Sequence, residues 1–358
     1  MKNRVPSSMK SRKNIIFLYT EIAQYLVACI SELKDMDIHI FRYPVNKEAP
    51  FEFAESNNIF YHDRHSLDFD SLKSKIQEIN PDMIVCSGWI DRDYLKICKM
   101  YHGKISTVLM FDNYWENTLR QHLATVLSPF YLKKRFSKVW VPGEIHRKYA
   151  KKLGYADEQI QTGFYVADIE KFNNEFDKVH DNKKEEFPKV FIYVGRYLAL
   201  KGVEDLWEAF NQFSNLPEGK DWSLWCVGAG DLYESRPKND KIKHFGFIQP
   251  SQLMELVKDA GVFMMPSHYD HWGVAVQEFA AAGCPLICSD KVGAISSFLE
   301  EGKNGFIHEI KSPETIVKAM LKISKKGSEE LWEMGKISHQ KAQSITKQGW
   351  TKALETLL

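Results

Sequence analysis

The 358-residue sequence lacks several patterns that would place it in a class directly. Its six cysteines include no Cys-x-x-Cys pair, and most lie in apolar runs, which is typical of reduced thiols in a cytosolic core. The apolar run 15–19 is too short for a signal peptide or a membrane span. No internal repeat or low-complexity tract is present. We therefore expect a cytoplasmic protein.

Two common nucleotide-binding motifs are also missing. Gly228-Ala-Gly230 is followed by Tyr233, where Gly-x-Gly-x-x-Gly requires its third glycine, which argues against a nicotinamide oxidoreductase. No Gly-x4-Gly-Lys-Ser/Thr sequence occurs, which argues against a P-loop nucleotidase.

What the sequence does contain is an alternation of apolar runs and helical patterns. With 44% hydrophobic and 27% charged residues it is typical of a globular protein, and its length predicts two domains. The alternation predicts α/β domains with parallel sheets and helices on both faces. The strands predicted in the first half are 14–19, 38–43, 83–86, 106–111 and 138–141. The helices predicted there are 21–33, 71–79, 92–101, 115–136 and 144–153, and Pro129 is expected to kink or split the long one. The second half repeats the scheme from residue 189.

Residues 261–290 predict a strand, a polar loop, a helix that begins near Gly273, and a second strand. The helix start places free backbone N–H groups and a positive dipole end beside Asp270 and His271. Glu278 lies inside the helix among small and apolar residues, where a carboxylate needs a hydroxyl or a cation as partner. N–H groups for anionic oxygens and two carboxylates for hydroxyls suit a sugar nucleotide.

The same segment resembles retaining glycosyltransferases of family 4, which have the GT-B fold: two Rossmann-like domains that face each other across a cleft. Asp270-x7-Glu278 corresponds to the Glu-x7-Glu pattern of that family, between Pro266-Ser267 and Gly283-x-Pro285. The resemblance implies that Asp270 contacts the donor sugar and Glu278 the ribose. The alternatives are an N-cap role for Asp270 and a helix-surface position for Glu278.

In the resemblance, His271-Trp272-Gly273 stands where the family usually has Pro-Phe-Gly. The backbone N–H groups from His271 to Val274 are expected to face the donor. For the side chains of His271 and Trp272, the alternative to a donor contact is a purely structural role.

A second match to the family follows the predicted strand at 189–194. Gly195-Arg196 and, five residues after the arginine, Lys201-Gly202 resemble the element that holds the donor diphosphate. A guanidinium and an ammonium would stabilise the charge that grows on a departing nucleoside diphosphate. The alternative for Arg196 is an ordinary salt bridge at a strand end. Further along, the segment with Gly246 and Phe247 resembles the part whose backbone meets the nucleobase.

The first domain carries fewer matches, since the resemblance is strong only over residues 139–310. The loop 111–115 contains no histidine, which the family commonly has there, and Asp112 is the candidate to touch the sugar or the acceptor hydroxyl. Its alternative is an N-cap for a helix near Trp115. Gly88 and Trp89 are expected to line the cleft, with Trp89 as a platform for stacking on a sugar. The usual glycine-rich loop is missing after the first strand, at Thr20-Glu21.

The expected domain organisation has four parts. Residues 1–165 form an acceptor-side Rossmann-like domain, and 166–188 form a linker whose charge density predicts an exposed connection. Residues 189–340 form the nucleotide-sugar domain. By resemblance, 341–358 form a helix that packs back on the first domain, and Trp332 and Trp350 are expected as apolar anchors of the C-terminal helices.

A basic segment interrupts the near-neutral charge of the chain. Residues 131–152 contain eight Lys or Arg and one Glu, although the whole chain carries a net charge of +1. These cations could meet the anionic headgroups of a membrane surface or a pyrophosphate-linked acceptor, or they could form a solvated face. Contact with lipid headgroups predicts a protein that is peripheral on the inner face of the membrane.

Together, these observations predict a retaining glycosyltransferase that moves a sugar from a nucleotide-sugar donor to a hydroxyl of a glycan or lipid-linked acceptor, in cell-surface polysaccharide or glycolipid synthesis. No Asp-x-Asp sequence lies near the donor elements, so no metal and no other cofactor is expected. Nucleic acid is not an expected partner. The alternatives are a sugar-nucleotide epimerase of GT-B fold and a non-catalytic sugar-nucleotide-binding subunit.

Overall fold

Short apolar runs become the central strands of two parallel sheets. The computed structural model describes residues 12–20, 22, 24–44 and 56–358. Along the first strand, Ile15 and Phe17 enter the core on one face of the sheet, while Ile16 and Leu18 enter the core on the other. All four side chains are fully buried, as expected for a parallel strand covered on both faces.

The first sheet has seven parallel strands within the described residues. They are β1 (Lys13–Tyr19), β2 (Met36–Arg42), β3 (Ile59–Asp63), β4 (Met83–Ser87), β5 (Ser106–Met110), β6 (Lys138–Val141) and β7 (Ile160–Thr162). Their order across the sheet is β3-β2-β1-β4-β5-β6-β7. The helices of this half are α1 (Gln24–Ile30), α2 (Phe69–Ile79), α3 (Arg92–Tyr101), α4 (Leu119–Leu127) and α5 (Glu144–Lys152).

The second sheet has six parallel strands in the order β10-β9-β8-β11-β12-β13 within the described residues. They are β8 (Val190–Val194), β9 (Ser223–Val227), β10 (Ile242–His244), β11 (Val262–Met265), β12 (Leu286–Ser289) and β13 (Gly305–His308). The helices are α6 (Glu170–Val179), α7 (Asn182–Glu185), α8 (Val203–Ser214), α9 (Pro250–Val257), α10 (Val274–Ala281), α11 (Ile295–Phe298), α12 (Pro313–Ser324) and α13 (Ser328–Ala342). The prediction of two Rossmann-like parallel-sheet domains is confirmed.

The helix predicted at 115–136 is much shorter in the structure. The side chain of Thr118 accepts a hydrogen bond from the backbone N–H of Gln121, whose own side chain bonds back, and this capping box starts α4 at Leu119. The helix ends at Leu127, before Pro129, because a proline ring cannot continue the hydrogen-bond ladder. The chain forms turns from 128 to 135, so Pro129 marks the end of the helix and neither kinks it nor splits it into two helices.

The exposed connection predicted between the domains also differs from the structure. Helices α6 and α7 occupy this stretch, and Phe172 is buried against the second domain. Lys183 is buried too, and its Nζ donates to the carbonyl oxygen of Ala260 at 2.8 Å. The high charge density of the segment concealed an amphipathic helix.

The last helix, α14 (Lys347–Leu357), returns to the first domain. The ring of Trp350 stacks on Phe17 with centroids 6.4 Å apart and lies 4.9 Å from Trp140. Its indole N–H donates to the carbonyl oxygen of Phe164 at 3.1 Å. Trp332, the other expected anchor, is only partly buried and stacks on His180.

Candidate functional site

The predicted donor elements meet at the carboxyl edge of the second sheet. Strands β8 and β11 are neighbours in the sheet. The next strand after β8, β9, lies on one side of this pair, and the next strand after β11, β12, lies on the other side. Gly195 and Arg196 follow β8, while the loop from Pro266 to Gly273 follows β11. Such a reversal of strand order opens a crevice, and open α/β sheets bind ligands there.

The start of α10 is built for close approach of the backbone. Gly273 precedes the helix with φ +91°, and a Cβ there would lie 3.0 Å from the Met265 side chain. The first N–H groups of a helix have no partner within the helix. Val274 and Ala275 line a cavity at this point, so the positive end of the helix dipole borders the cavity.

Lys201 and Asp270, predicted for the diphosphate and the sugar, form an ion pair with each other. Nζ of Lys201 lies 2.6 Å from Oδ2 of Asp270. The turn that carries Lys201 sits against the β11 loop, where any Cβ on Gly202 would collide with the carbonyl oxygen of Pro266. The other carboxylate oxygen of Asp270 accepts from the N–H of Trp272 at 3.3 Å. Because Gly273 is the residue at the N-cap of α10, the N-cap alternative for Asp270 is wrong.

Glu278 lies one turn into α10, enclosed by protein but not fully shielded from solvent. Within the described residues, no hydrogen bond or ion pair to its carboxylate is found. Burial, and then the negative charge of Asp168, raises the pKa of Glu278 to about 7. The hydroxyl or cation partner that the sequence calls for is therefore not supplied by the described protein.

The neighbouring Gln277 faces the protein and fixes the helix. Its side-chain oxygen accepts from the N–H of Ala167, and its amide donates to the carbonyl oxygens of Ala342 and Ile345. Ala167 lies in the first connection between the domains, and Ala342 and Ile345 lie in the second. The hydrogen bonds of Gln277 therefore fix α10 to both connections.

Gly246 and Phe247 follow β10 at the same edge of the sheet. The carbonyl oxygen of Gly246 accepts from the N–H of Gly228 at 2.8 Å, and Gly228 in turn lies against the backbone of Gly195. Three glycines thus connect the ends of β8, β9 and β10. Phe247 is exposed.

A cavity of about 320 Å³ collects most of the predicted site residues. Nine of them line it: Asp112, Gly195, Arg196, Lys201, Asp270, His271, Trp272, Gly273 and Val274. The other three, Gly246, Phe247 and Glu278, lie outside its lining. Walls come from both domains, since Asp112 belongs to the first and the remaining eight to the second.

Asp112 connects this cavity to a larger one in the first domain. The hydroxyl of Tyr165 donates to Oδ2 of Asp112 at 2.9 Å, and Nδ1 of His271 lies 4.0 Å from Oδ1. Its N-cap alternative is wrong, because Thr118 caps the next helix. The second cavity, of about 650 Å³, shares Tyr25, Asp112, Tyr165 and His271 with the first, and Gly88 and Trp89 line it as expected.

Contacts between the domains hold the loop from Asp270 to Gly273 in place. Nε2 of His146 lies 3.0 Å from the carbonyl oxygen of His271, and burial lowers the pKa of His146 to about 4, so it donates as a neutral imidazole. The Trp272 ring is buried against Gly143, where a Cβ would lie 3.0 Å from it. Packing across the domain interface is the role of the Trp272 side chain.

Sequence reasoning missed Tyr25, Tyr165 and His146. Tyr25 and Tyr165 line both cavities, and their rings meet edge to face at 5.5 Å. The only sequence signal is the position of Tyr165, which stands directly before the expected linker at 166–188.

In the described part of the chain, no helix is long and apolar enough to cross a bilayer. The described residues also include no group of three or more His, Cys, Asp or Glu placed to hold a metal ion. The absence of a metal requirement stays a prediction.

Solved structures with the same architecture include a glycosyltransferase. A glycosyltransferase from Rickettsia africae superimposes with a TM-score of 0.71 at 13% identity, covering 97% of this chain and 98% of that one. Sucrose-phosphate synthase from Thermosynechococcus elongatus gives 0.70 at 16% identity, covering 96% and 97%. Anabaena Alr3699/HepE in complex with UDP and glucose gives 0.67 at 14% identity, covering 97% and 99%. These likenesses show the fold, and the expected GT-B class is confirmed.

Sequence comparison points to the same group. Residues 174–341, a little under half of the chain, match the family model of glycosyl transferases group 1. The uncharacterized glycosyltransferase MJ1607 of Methanocaldococcus jannaschii is 29% identical over 136 residues, 36% of this chain and 34% of that protein. Spore coat protein SA of Bacillus subtilis is 26% identical over 208 residues, 52% and 53%. The chain thus spans a third to a half of the length of these two relatives.

One relative matches over most of its length. The N,N'-diacetylbacillosaminyl-diphospho-undecaprenol alpha-1,3-N-acetylgalactosaminyltransferase of Campylobacter jejuni is 21% identical over 307 residues. The match covers 81% of this chain and 77% of that protein.

Proposed function

We propose that the protein is a retaining glycosyltransferase that uses a nucleotide-sugar donor and transfers the sugar to a hydroxyl of a glycan or lipid-linked acceptor. The observation that carries the proposal is the cavity between the domains. Arg196, Lys201 and the start of α10 bring positive charge to it, and the carboxylates of Asp112 and Asp270 line the same space.

In this proposal the donor diphosphate lies between Arg196, Lys201 and the first N–H groups of α10. Negative charge grows on the diphosphate as the bond to the anomeric carbon breaks, and these groups stabilise that charge most in the transition state. The ribose hydroxyls donate to the Glu278 carboxylate, which lacks a partner among the described residues. The base lies along the glycine-lined edge toward Gly246 and Phe247.

The sugar lies near Asp270 and Asp112. Front-face displacement would retain the configuration at the anomeric carbon: the acceptor oxygen attacks from the side on which the diphosphate leaves, and a diphosphate oxygen takes the acceptor proton. Arg196 and Lys201 offset the charge of the leaving group, which is the role that a metal ion has in other transferases.

The second cavity favours transfer over epimerisation of the donor alone. It adjoins the donor cavity at Asp112 and His271 and has about twice the volume, about 650 Å³ against about 320 Å³. An acceptor bound there would present its hydroxyl at the boundary between the cavities. A lipid-linked acceptor is consistent with the undecaprenol-linked substrate in the name of the Campylobacter relative.

A panel of UDP-, GDP- and ADP-sugars tests the proposal. A cognate donor should raise the melting temperature by mass action, and this shift should be lost in Arg196→Ala. Purified protein with that donor and candidate acceptors should then release nucleoside diphosphate only when an acceptor is present. Stabilisation by a donor without turnover on any acceptor would favour the non-catalytic subunit, and epimerised donor without transfer would favour the epimerase.

A further inference from the structure

Helix α4 exposes large apolar side chains to solvent. Leu119, Leu123, Val126 and Leu127 recur at helical spacing on one side of it, and Phe130 follows in the next turn. Their exposed fractions include 88% for Leu119, 68% for Val126 and 76% for Phe130. We name these five residues the α4 apolar face. A contiguous exposed patch of this kind marks an interaction site.

The α4 apolar face borders the cavity of the first domain. Arg120, Gln121 and Ala124, on an adjoining side of the same helix, line that cavity. Ile90 lines it from the loop after β4 and is 82% exposed. Exposed apolar groups from two separate elements therefore stand at the rim of one cavity.

Positive charge accompanies the apolar face. Residues 117–143 contain five Lys or Arg and no Asp or Glu. Lys133 donates to the carbonyl oxygen of Gly154, and the Arg135 guanidinium lies over the Tyr131 ring. Neither contact brings a carboxylate that would neutralise the positive charge. By contrast, Arg147 and Lys151, further along the basic segment, pair with Asp157. The basic turn 133–135, which follows α4 in the chain, thus makes no ion pair with a carboxylate among the described residues.

We propose that the α4 apolar face, with the basic turn 133–135, docks the protein on an anionic lipid bilayer. A bilayer offers apolar surface to the five side chains and anionic headgroups to the cations. A symmetric contact with a second copy would bring two basic turns toward each other, which disfavours that occupant. When the protein is docked in this way, the cavity of the first domain opens at the level of the lipid headgroups. This inference rests on the proposed function, and it identifies the acceptor as a hydroxyl group anchored to a lipid.

Vesicle co-sedimentation of the full chain tests the docking. Vesicles of phosphatidylcholine alone are compared with vesicles that also contain phosphatidylglycerol. The variant is Leu123→Asp/Val126→Asp, which leaves the cavity lining intact, and the control is Ile307→Asp, an exposed apolar position on β13. We expect the wild type and the control to bind anionic vesicles, and the double variant to partition at least ~10-fold more weakly.

Equal recovery with neutral and anionic vesicles, or equal binding of wild type and double variant, would overturn the proposal. Sedimentation velocity without lipid tests whether a second copy of the chain covers the α4 apolar face. A dimer in the wild type that is lost in the double variant would assign the face to self-association and would also overturn the proposal. Circular dichroism melting checks that the variants are folded.

An activity measurement separates this inference from the proposed function. The donor-induced rise in melting temperature should be the same in the double variant and the wild type. Transfer to a lipid acceptor should fall about 10-fold when the lipid is in vesicles and stay unchanged when it is dissolved in detergent. An equal loss in detergent would contradict a docking role. Absence of transfer by the wild type in both media would contradict the proposed function, whereas vesicle binding would still support docking.

Discussion

The Nζ atom of Lys201 lies 2.6 Å from Oδ2 of Asp270, and both residues line the cavity between the domains. Only 21% of the lysine side chain and 14% of the aspartate side chain are exposed, so water screens the pair less than at an open surface. The pair fixes the position of the ammonium near the start of α10. Lys201, predicted to contact the phosphate, and Asp270, predicted to contact the sugar, therefore hold each other in position.

This dependence predicts a non-additive double-mutant cycle. Lys201→Met and Asp270→Asn should each lower kcat/KM for the donor by ~10-fold or more, because each removes a donor contact and also releases its partner. The double variant should lose less than the product of the two effects, with a coupling energy of about 1–3 kcal/mol. Steady-state kinetics of the four proteins measure it. Strictly multiplicative losses would show that the two groups act independently.

Arg196→Ala should lower kcat by ~100-fold or more. One preorganised charge contact that acts in the transition state contributes about 3 kcal/mol. Arg196→Lys is the matched control. Its kcat should lie between those of the wild type and Arg196→Ala, since lysine keeps a positive charge but lacks the planar fork of donors. A turnover number for Arg196→Ala equal to the wild type would remove this residue from the mechanism.

The central part of the fold could be predicted from local pattern, and the edges could not. All five strands predicted in the first half are present, because buried parallel strands consist of nearly continuous apolar residues. The edge strands β3 and β7 were missed. β3 contains His62 and Asp63, and β7 contains Gln161 and Thr162, so neither has the apolar run of a central strand.

The candidate site shows a similar division. Motif spacing placed eight residues of the second domain around one cavity, since the donor elements follow adjacent strands and local sequence fixes their geometry. Tyr165 and His146 were not predicted, because their contacts with Asp112 and with the His271 carbonyl exist only after the two domains meet. No local spacing encodes that approach. The exposed side of α4 was also missed, since an apolar periodicity does not reveal which side is covered.

Glu278→Gln should stabilise the protein at alkaline pH. Burial and Asp168 raise the pKa of Glu278 to about 7, from an ordinary value of 4.5, so between these values the folded state binds more protons than the unfolded state. The free energy of unfolding contributed by this group therefore falls as the pH rises from about 4.5 to about 7. The substitution removes this penalty and should add about 1–3 kcal/mol at pH 8 and little at pH 4. Urea denaturation at both pH values measures the difference.

The same variant should bind the donor ~10-fold or more weakly, because a neutral amide replaces a carboxylate that accepts from the ribose hydroxyls. Isothermal titration with the cognate donor provides this second measurement. Glu301→Gln, at a partly exposed carboxylate elsewhere in the same domain, is the control for the loss of one negative charge. Unchanged donor affinity in Glu278→Gln would contradict the ribose contact.

Transfer should survive chelation. Arg196, Lys201 and the first N–H groups of α10 are expected to carry the charge of the leaving diphosphate, so EDTA should change the rate by no more than about twofold. The measurement is the initial rate after dialysis against EDTA, with and without added Mg²⁺ or Mn²⁺. Loss of turnover on chelation, restored by a divalent ion, would show that these groups do not suffice.

His146→Gln should weaken donor binding although the residue does not line the donor cavity. Its imidazole donates to the carbonyl oxygen of His271, and that loop carries the contacts predicted for the sugar and the diphosphate. Displacing this bond should raise KM for the donor more than it lowers kcat, and should cost about 1–3 kcal/mol of stability. Kinetics and urea denaturation measure the two effects.

The pH dependence of that stability distinguishes His146 from a residue that only fills space. Burial lowers the pKa of His146 to about 4, so between pH 4 and 6.5 the folded state binds fewer protons than the unfolded state. Its contribution therefore makes the wild type less stable as the pH falls from about 6.5 to about 4. His146→Gln should show a shallower decline over this range, whereas the exposed control His65→Ala should follow the wild type. Parallel curves for all three proteins would mean that His146 is not held neutral at the domain interface.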